Sequence, residues 1–530
     1  MNYIYVKIPF FSIMLRKTEH FSGFSFWVFL LAIFNIIFHV AFYNTLGFHR
    51  DELLYFSLGQ HLSAGYASVP PFTGFIAWLM IHILGYSLFS ARFIPMMLSG
   101  VLVLLGAAIA QEMKGKTYAQ VITAIAIIIT PFNLRCFSML QPVCFDVFFW
   151  TLCFWIALKW MNTGSGKYLV LLGVVAGLGL MNKYLIALEI FTLLIAFSLS
   201  SYRSIFNRKA FYFATLIALV IFLPNIIWQI TNNLPVLTHM RALNDSQLVH
   251  VNRVAFFTDQ LFINSMALLL IIPGIIVLCI GKSFRSYRPL VFASLGVLLM
   301  LALLRGKSYY TGGLYPFLAA AGGVYWEIKA RRLFTKIILP CIMLLVTLPV
   351  VPMGIPLWKQ EKLAEYFAGA KRDVGFDVVL RWETGKIHNL PQDYADMLGW
   401  DELASITAKA YRQVQDKHCC MIYAENYGQA GAVMVLGKKY NLPEPVCFSE
   451  SFFYWFPRNL QYEITDFIYI NDNLGDDIHR LFADCRLAGQ VQDTLAREYG
   501  TGVWLCTNPV TSFNEFWKQR VSQVITPFHH

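Results

Sequence analysis

The side chains best placed to do chemistry in this sequence are charged and phenolic residues stranded between long apolar runs, where a polar group is costly to keep. His49-Arg50-Asp51-Glu52 closes one such run and is followed by Tyr55, Gly65-Tyr66 and Pro70-Pro71. The stretch from Arg135 to Asp146 reads Arg-Cys-Phe-Ser-Met-Leu-Gln-Pro-Val-Cys-Phe-Asp. A third, Gly306-Lys307-Ser308-Tyr309-Tyr310, precedes Tyr315-Pro316. By residue type these stretches offer carboxylates that can take a proton, and cations and phenols that can hold an anion. Plainer roles also fit. An Asp-Glu pair opening a helix is a common cap, Lys307 suits a snorkelling helix end, and Tyr309, Tyr310 and Tyr315 suit an interfacial aromatic belt. Asp146 lies four residues inside its run, after Pro142, where a cap is less natural. His239, Arg241 and His250 read as loop residues.

The elements that must position these residues are apolar. Of 530 residues, 57% are hydrophobic and 14% charged, against roughly 25% charged in an ordinary soluble domain. A surface facing lipid accounts for that deficit; a wetted globular surface does not. Apolar runs fall near Phe24–Leu46, Leu88–Ala110, Tyr118–Phe132, Val143–Met161, Tyr168–Leu180 and Leu185–Ser200. Five more fall near Phe211–Trp228, Gln260–Ile280, Leu290–Leu304, Gly312–Trp326 and Phe334–Val351. They predict an α-helical polytopic membrane bundle of about eleven transmembrane helices, although several runs are shorter than the ~20 residues of a full span. Phe72–Leu84, after Pro70-Pro71, reads as a helix lying at the interface. The first run reads as a retained signal-anchor, because Met1–His20 lacks a small-residue cleavage pattern.

With the N-terminus in the cytoplasm, every inside loop is basic: Lys7, Arg16 and Lys17; Lys114 and Lys116; Lys159 and Lys167; Arg203, Arg208 and Lys209; Lys282, Arg285 and Arg288; and Lys329, Arg331, Arg332 and Lys336. That is the positive-inside bias. The three polar stretches then all fall on the outer side, as does the C-terminal end of the chain. The net charge of +11 is spread over these short loops rather than gathered in a stripe, so membrane lipids rather than a nucleic acid are the expected partner.

From about Lys359 the apolar runs shrink to strand length, at Cys420–Ala424, Val446–Phe448, Phe467–Ile470 and Val503–Cys506. Helical stretches, Tyr394–Val414 and Gln429–Tyr440, lie between them. The alternation predicts a soluble extracytoplasmic α/β domain over residues 359–530, after a transmembrane domain over residues 1–358. Its cysteines, Cys419, Cys420, Cys447, Cys485 and Cys506, are odd in number and show no metal-ligand spacing. An oxidising exterior permits a disulfide among them.

The stretch Asp51-Glu52-Leu-Leu-Tyr55, with Gly65-Tyr66 and Pro70-Pro71 before an interfacial helix, resembles the first outer loop of the bacterial lipid-linked-sugar glycosyltransferases. These are related to the protein O-mannosyltransferases and the lipid A aminoarabinose transferases and share the GT-C fold. Asn182-Lys183-Tyr184, the Gly306–Pro316 stretch and Asn426-Tyr427-Gly428-Gln429-Ala430 resemble later parts of the same superfamily. The sequence departs from the pattern at Ser68-Val69, where a His or Lys often precedes the proline pair. It departs again in the second outer loop, where Gln141-Pro142 comes before the acidic Asp146.

The resemblance implies transfer of a sugar from a polyprenyl phosphate to a lipid, glycan or protein acceptor at the outer face of a bacterial inner membrane. It implies Asp51 as the base, with Glu52 as its neighbour or substitute, and inversion at the anomeric carbon in a single displacement. Lys307 with Tyr309 or Tyr310, and Arg135, are the implied holders of the lipid phosphate. Tyr315 belongs to the same stretch, Asp146 is a candidate for orienting sugar or acceptor, and Pro70 and Pro71 wall the cavity. Some relatives use a divalent metal, but no His/carboxylate cluster in this sequence calls for one. Two other functions compete. A multi-pass transporter usually shows internal repeats and midplane charges, and neither stands out here. A polysaccharide ligase leans on a large outer loop rich in Arg and His, which Ile230–Asp259 only partly resembles.

Overall fold

A computed structural model describes residues 24–246 and 252–525. Met1–His20, the stretch expected in the cytoplasm before the anchor, and His250 therefore lie outside the described residues. Each of the eleven apolar runs contains a helix. Leu88–Glu112 and Pro142–Thr163 are largely buried against their neighbours, whereas Lys209–Thr231 leaves Leu216, Leu219, Leu223 and Ile227 exposed. An apolar face left open in this way is what lipid contact requires, and the chain is a membrane protein.

Among the described residues, six helices are long and apolar enough to cross a membrane. A seventh is reached if Ile186–Ser198 and Ser201–Asn207, bent by 111°, form one span. Phe26–Phe42, Phe72–Leu84, Thr117–Ile129 and Gly166–Asn182 are apolar but shorter. The short ones stop where the sequence interrupts them. Pro131 opens a separate helix, Pro131–Cys136, directly after Thr117–Ile129, and Lys183 adopts extended backbone after Gly166–Asn182. Apolar length alone therefore yields fewer spans than the eleven runs suggest. Phe72–Leu84 has the bounds expected of it, with Pro71 as its N-cap residue.

After Leu333–Thr347 and the turn Val351–Gly354, the helix Gln360–Val374 leads out of the bundle. A four-stranded mixed sheet follows: β1 Cys420–Ala424, β2 Asp466–Asn471, β3 Phe482–Gln490 and β4 Gly502–Pro509, in the order β1-β2-β4-β3. β1 and β2 run parallel, and β4 is antiparallel to both its neighbours. Val446–Phe448 makes only a bridge, Val446 to Tyr423, rather than a strand. β3 escapes sequence reading because it is an edge strand with Asp484 and Arg486 exposed, so it carries little apolar signal. Cys485 and Cys506 lie opposite each other in register and form a disulfide; Cys419, Cys420 and Cys447 are free. The expected helix Tyr394–Val414 is two, Gln392–Ala395 and Trp400–Gln413, parted by Gly399 at φ +83°.

The C-terminal part rests directly on the loops around Arg50, His61 and Ala67. Arg50 N–H donates to Asp396 O at 2.9 Å, and Ala67 N–H donates to the Ser451 hydroxyl at 3.0 Å. His61 stacks on Trp455 with ring centroids 4.2 Å apart. The helix Tyr427–Leu436 packs on the helix Arg50–Gln60 through Gly428 and Gly431. A Cβ on Gly431 would lie 2.9–3.0 Å from Leu53 Cβ and backbone, and one on Gly428 would lie 2.7 Å from Arg50 Cγ. Only residues without a Cβ permit that approach.

Candidate active site

The helix Arg50–Gln60 begins in a capping box. His49 Nδ1 accepts the Asp51 N–H at 3.1 Å, and Glu52 Oε2 accepts the His49 N–H at 2.8 Å. Two acids in the first turn also complement the helix dipole. The box sorts the two acids. Glu52 is fully buried, where Arg92 Nη2 donates to Oε2 at 2.8 Å and Arg92 Nε to Oε1 at 3.0 Å. The Leu140 N–H adds a further donor to Oε1 at 3.0 Å. With four donors and no exposure, Glu52, expected as the neighbour of Asp51 or its substitute, is held beneath Asp51 and does not line the cavity.

Asp51 faces the other way, with its side chain 30% exposed. Its Oδ1 accepts the Tyr427 hydroxyl at 3.0 Å, and its Oδ2 accepts the Gln141 amide at 3.0 Å. Gln141, at the position where a second-loop acid was expected, thus supplies a donor to the Asp51 carboxylate. Asp51 stands at the edge of a cavity of about 780 Å³. Leu54, Leu185, Leu188, Phe191, Leu301 and Leu304 give this cavity a long apolar wall. Its polar lining includes Lys183, Tyr309, Tyr310, Tyr427 and Glu450. Pro70 is on the wall with Ser68 and Val69. Pro71 sits behind it, opening the next helix.

Of the cations expected at the site, neither lines the cavity. Lys307 Nζ pairs with Glu383 Oε1 at 3.0 Å, and Arg135 pairs with Asp393. Both bind acids of the C-terminal part. The lysine that does line it is Lys183, whose Nζ lies 4.3 Å from the Tyr310 ring centroid and 5.5 Å from that of Tyr309. Tyr309 and Tyr310 both line the cavity, edge to face at 4.8 Å. Tyr315 is buried away from the cavity, donating to Gln260 and receiving Thr311 Oγ1 at 3.1 Å. Asp146 is buried too, and accepts the Trp150 indole N–H at 3.0 Å.

Around Asp51 the charges form a seam. His49 Nε2 lies 3.8 Å from Asp393 and 4.0 Å from Asp396. Burial would lower its pKa, but Asp393, Asp51 and Asp396 together raise it. Burial would raise the Asp393 carboxyl, but Arg135 and His49 hold it well below the usual carboxylate range. Burial, then the Asp51 charge, pushes the phenols of Tyr55 and Tyr427 well up, so both stay protonated as donors. Among the described residues, no group of three or more His, Cys, Asp and Glu side chains is placed to hold a metal ion.

Four residues at or below the site were not singled out for it in the sequence. Lys183 carried a signal, as a lone lysine in a two-residue gap between apolar runs. Arg92 carried a similar one, as a lone charge inside an apolar run that must face a buried partner. Tyr427 carried one only through the resemblance of Asn426–Ala430, and Glu450 carried none, because polar residues are ordinary in a soluble domain.

Residues 68–228 match a family model described as dolichyl-phosphate-mannose-protein mannosyltransferase. No curated protein sequence matches the chain. Its fold is similar to that of ArnT from Cupriavidus metallidurans bound to undecaprenyl phosphate, with a TM-score of 0.59 and 12% identity over 90% of this chain and 98% of that one. Against the apo state of the same protein the TM-score is 0.56 at 13% identity, over 90% and 97%.

Proposed function

We propose that this chain, a member of the GT-C glycosyltransferase superfamily, moves a sugar from a polyprenyl-phosphate donor to an acceptor at the outer face of the membrane. The observation that carries the reading is Asp51, a partly exposed carboxylate held by two donors at the edge of a cavity with a largely apolar wall. In the reaction Asp51 takes the proton of an acceptor hydroxyl or amine as that group attacks the anomeric carbon. The anomeric C–O bond breaks, and its electron pair leaves with the polyprenyl phosphate. Attack from the opposite face inverts the centre.

The leaving phosphate is an anion and needs fixed cations and donors. Lys183 with Tyr309 and Tyr310 provides them. The Lys183 ammonium already rests over both rings, which keeps it partly desolvated and ready to exchange a ring face for a phosphate oxygen. Lys307 and Arg135 are docking cations here, Tyr315 and Asp146 are framework residues, and Pro71 sets the interfacial helix. In this reading an odd number of spans from a cytoplasmic N-terminus puts residues 359–530 and the cavity outside a bacterial inner membrane; the basic residues in the alternate loops support that orientation. The ArnT structure holds undecaprenyl phosphate, which supports a lipid of that class in this cavity.

The test is label release from radiolabelled polyprenyl-phosphate sugars by purified protein in lipid. Asp51→Asn is expected to lower turnover by about 10²–10⁴-fold while donor binding persists. Near-normal turnover in that variant would sink the base, and no release by the unmodified protein from any donor would sink the transferase.

A further inference from the structure

We propose that Tyr427 is a positioning residue for Asp51, so that the C-terminal domain is part of the reaction centre rather than a cap on it. This rests on Asp51 being the base. Tyr427 is the first residue of the helix Tyr427–Leu436, whose start is fixed from both sides. Asn426 accepts the Gly428 and Gln429 N–H groups at 2.9 and 3.0 Å, and Gln429 Oε1 accepts the Asn426 N–H at 3.3 Å. The Gln429 amide in turn donates to Glu498 at 2.8 Å. On the membrane side Arg50 lies over the Tyr427 ring, 4.1 Å from its centroid, and the bare backbone at Gly428 and Gly431 brings the two helices together. The hydroxyl therefore reaches Asp51 Oδ1 from a rigid support, opposite the Gln141 amide on Oδ2. Two donors from two different parts of the chain fix the plane of the carboxylate, which decides where its free lone pairs point.

Misplacing a reacting group by about 1 Å can cost ~10²-fold in rate. Tyr427→Phe keeps the ring, its packing and the Arg50 contact, and removes only the hydroxyl. It is expected to lower kcat about 10- to 100-fold with donor and acceptor KM and the melting temperature unchanged. In an Asp51→Asn background the same change is expected to have no further effect, because there is no base left to orient. A normal kcat in Tyr427→Phe, or a loss that multiplies with that of Asp51→Asn, overturns the proposal. If Asp51→Asn itself is fully active, it is the base reading that fails.

A separate observation in the same domain assigns Glu450 to substrate contact. Glu450 lines the cavity on backbone at φ +54°, a left-handed conformation unusual for a residue with a side chain. Ser68 hydrogen-bonds the carboxyl and Oε1 lies 3.9 Å from His239 Nδ1, which leaves Oε2 buried without a close partner. Strained backbone presenting an acceptor that the protein satisfies only in part is a feature kept for a ligand. The ligand group is a hydrogen-bond donor, a hydroxyl or ammonium of the sugar or of the acceptor. Glu450→Gln is expected to raise one KM about tenfold, roughly the worth of a hydrogen bond to a charged group. A rise in donor KM places the contact on the sugar; a rise in acceptor KM places it on the acceptor. Two unchanged KM values overturn it. As a second measure, Glu450→Gly is expected to raise the melting temperature by removing strain while activity falls; a fall in both assigns Glu450 to structure alone.

Discussion

The two parts of the chain that enclose the cavity are built differently. The bundle gives it an apolar wall, the Asp51 carboxylate, Lys183 and several tyrosines, Tyr309 and Tyr310 among them; the C-terminal domain adds the Tyr427 phenol and the Glu450 carboxylate. In the bundle each polar residue is an exception that must be stabilised locally, as Glu52 is by Arg92 and two backbone amides. In the domain the polar groups are routine, and what is special is the support that delivers them: a capped helix start at Asn426 and a strained turn at Glu450. On the proposed reading the bundle fixes where the lipid and the base lie, and the domain tunes how the base and the polar substrate are held.

The largest effect is expected from breaking the bundle's side of this arrangement. Arg92 and Glu52 are both buried, and Arg92 also binds the carbonyls of Tyr43 and Gly47. Arg92→Ala leaves a buried carboxylate unpaired, at a cost of about 3–5 kcal/mol. The expected outcome is a sharp loss of folded protein in detergent, followed by size-exclusion profile and thermal melting. Arg92→Ala with Glu52→Gln should recover part of that loss, since no uncompensated charge then remains. If the single variant is as stable as the unmodified protein, the frame beneath Asp51 does not depend on this pair.

This pair also shows what the sequence could and could not tell. That a polar cluster at Asp51-Glu52 sits beside a span was legible, because a charge between apolar runs is visible without any structure. Which acid faces the cavity was not, since it depends on the capping geometry of His49 and on Arg92, forty residues away. Helices of the bundle were legible from length and apolarity, whereas β3 was not, because an exposed edge strand with Asp484 and Arg486 has no apolar alternation to read. Lys307 was a reasonable reading of residue type, but a long side chain goes where its nearest counter-charge is. That was Glu383, which only the folded chain brings near.

The second test compares the two lysines directly. Lys183 belongs to the cavity and Lys307 to the seam with the C-terminal part. Lys183→Ala is expected to raise donor KM about 10- to 100-fold, the worth of a charge-assisted hydrogen bond of roughly 1.5–3 kcal/mol. Lys307→Ala removes a partly exposed ion pair worth at most ~1 kcal/mol and should leave donor KM within about twofold. Lys183→Arg, with its charge kept, should recover part of the affinity. The reverse pattern, with Lys307→Ala weakening the donor and Lys183→Ala silent, would return the phosphate to the position suggested by residue order alone.

The smallest effect is expected at the seam itself, where bundle and domain meet through His49. Its pKa in the folded protein is raised by Asp393, Asp51 and Asp396 against the effect of burial. Asp393 is in turn held by Arg135, and Asp396 by Arg497 at 3.2 Å. A group whose folded pKa is raised contributes stability that is complete below its unfolded value, about 6.5 for histidine. That stability is lost as pH rises through the folded value. Protonation also removes the Nδ1 lone pair that accepts the Asp51 N–H, which offsets part of that gain, so melting temperature should fall only modestly as pH climbs above about 6.5. His49→Asn should flatten that fall while keeping a residue able to cap the helix Arg50–Gln60. A variant whose melting curve tracks the unmodified protein from acid to alkaline pH would mean that the three acids around His49 are balanced by Arg135 and Arg497 alone. The domain would then dock on the bundle by arginine pairs, with no contribution from the imidazolium.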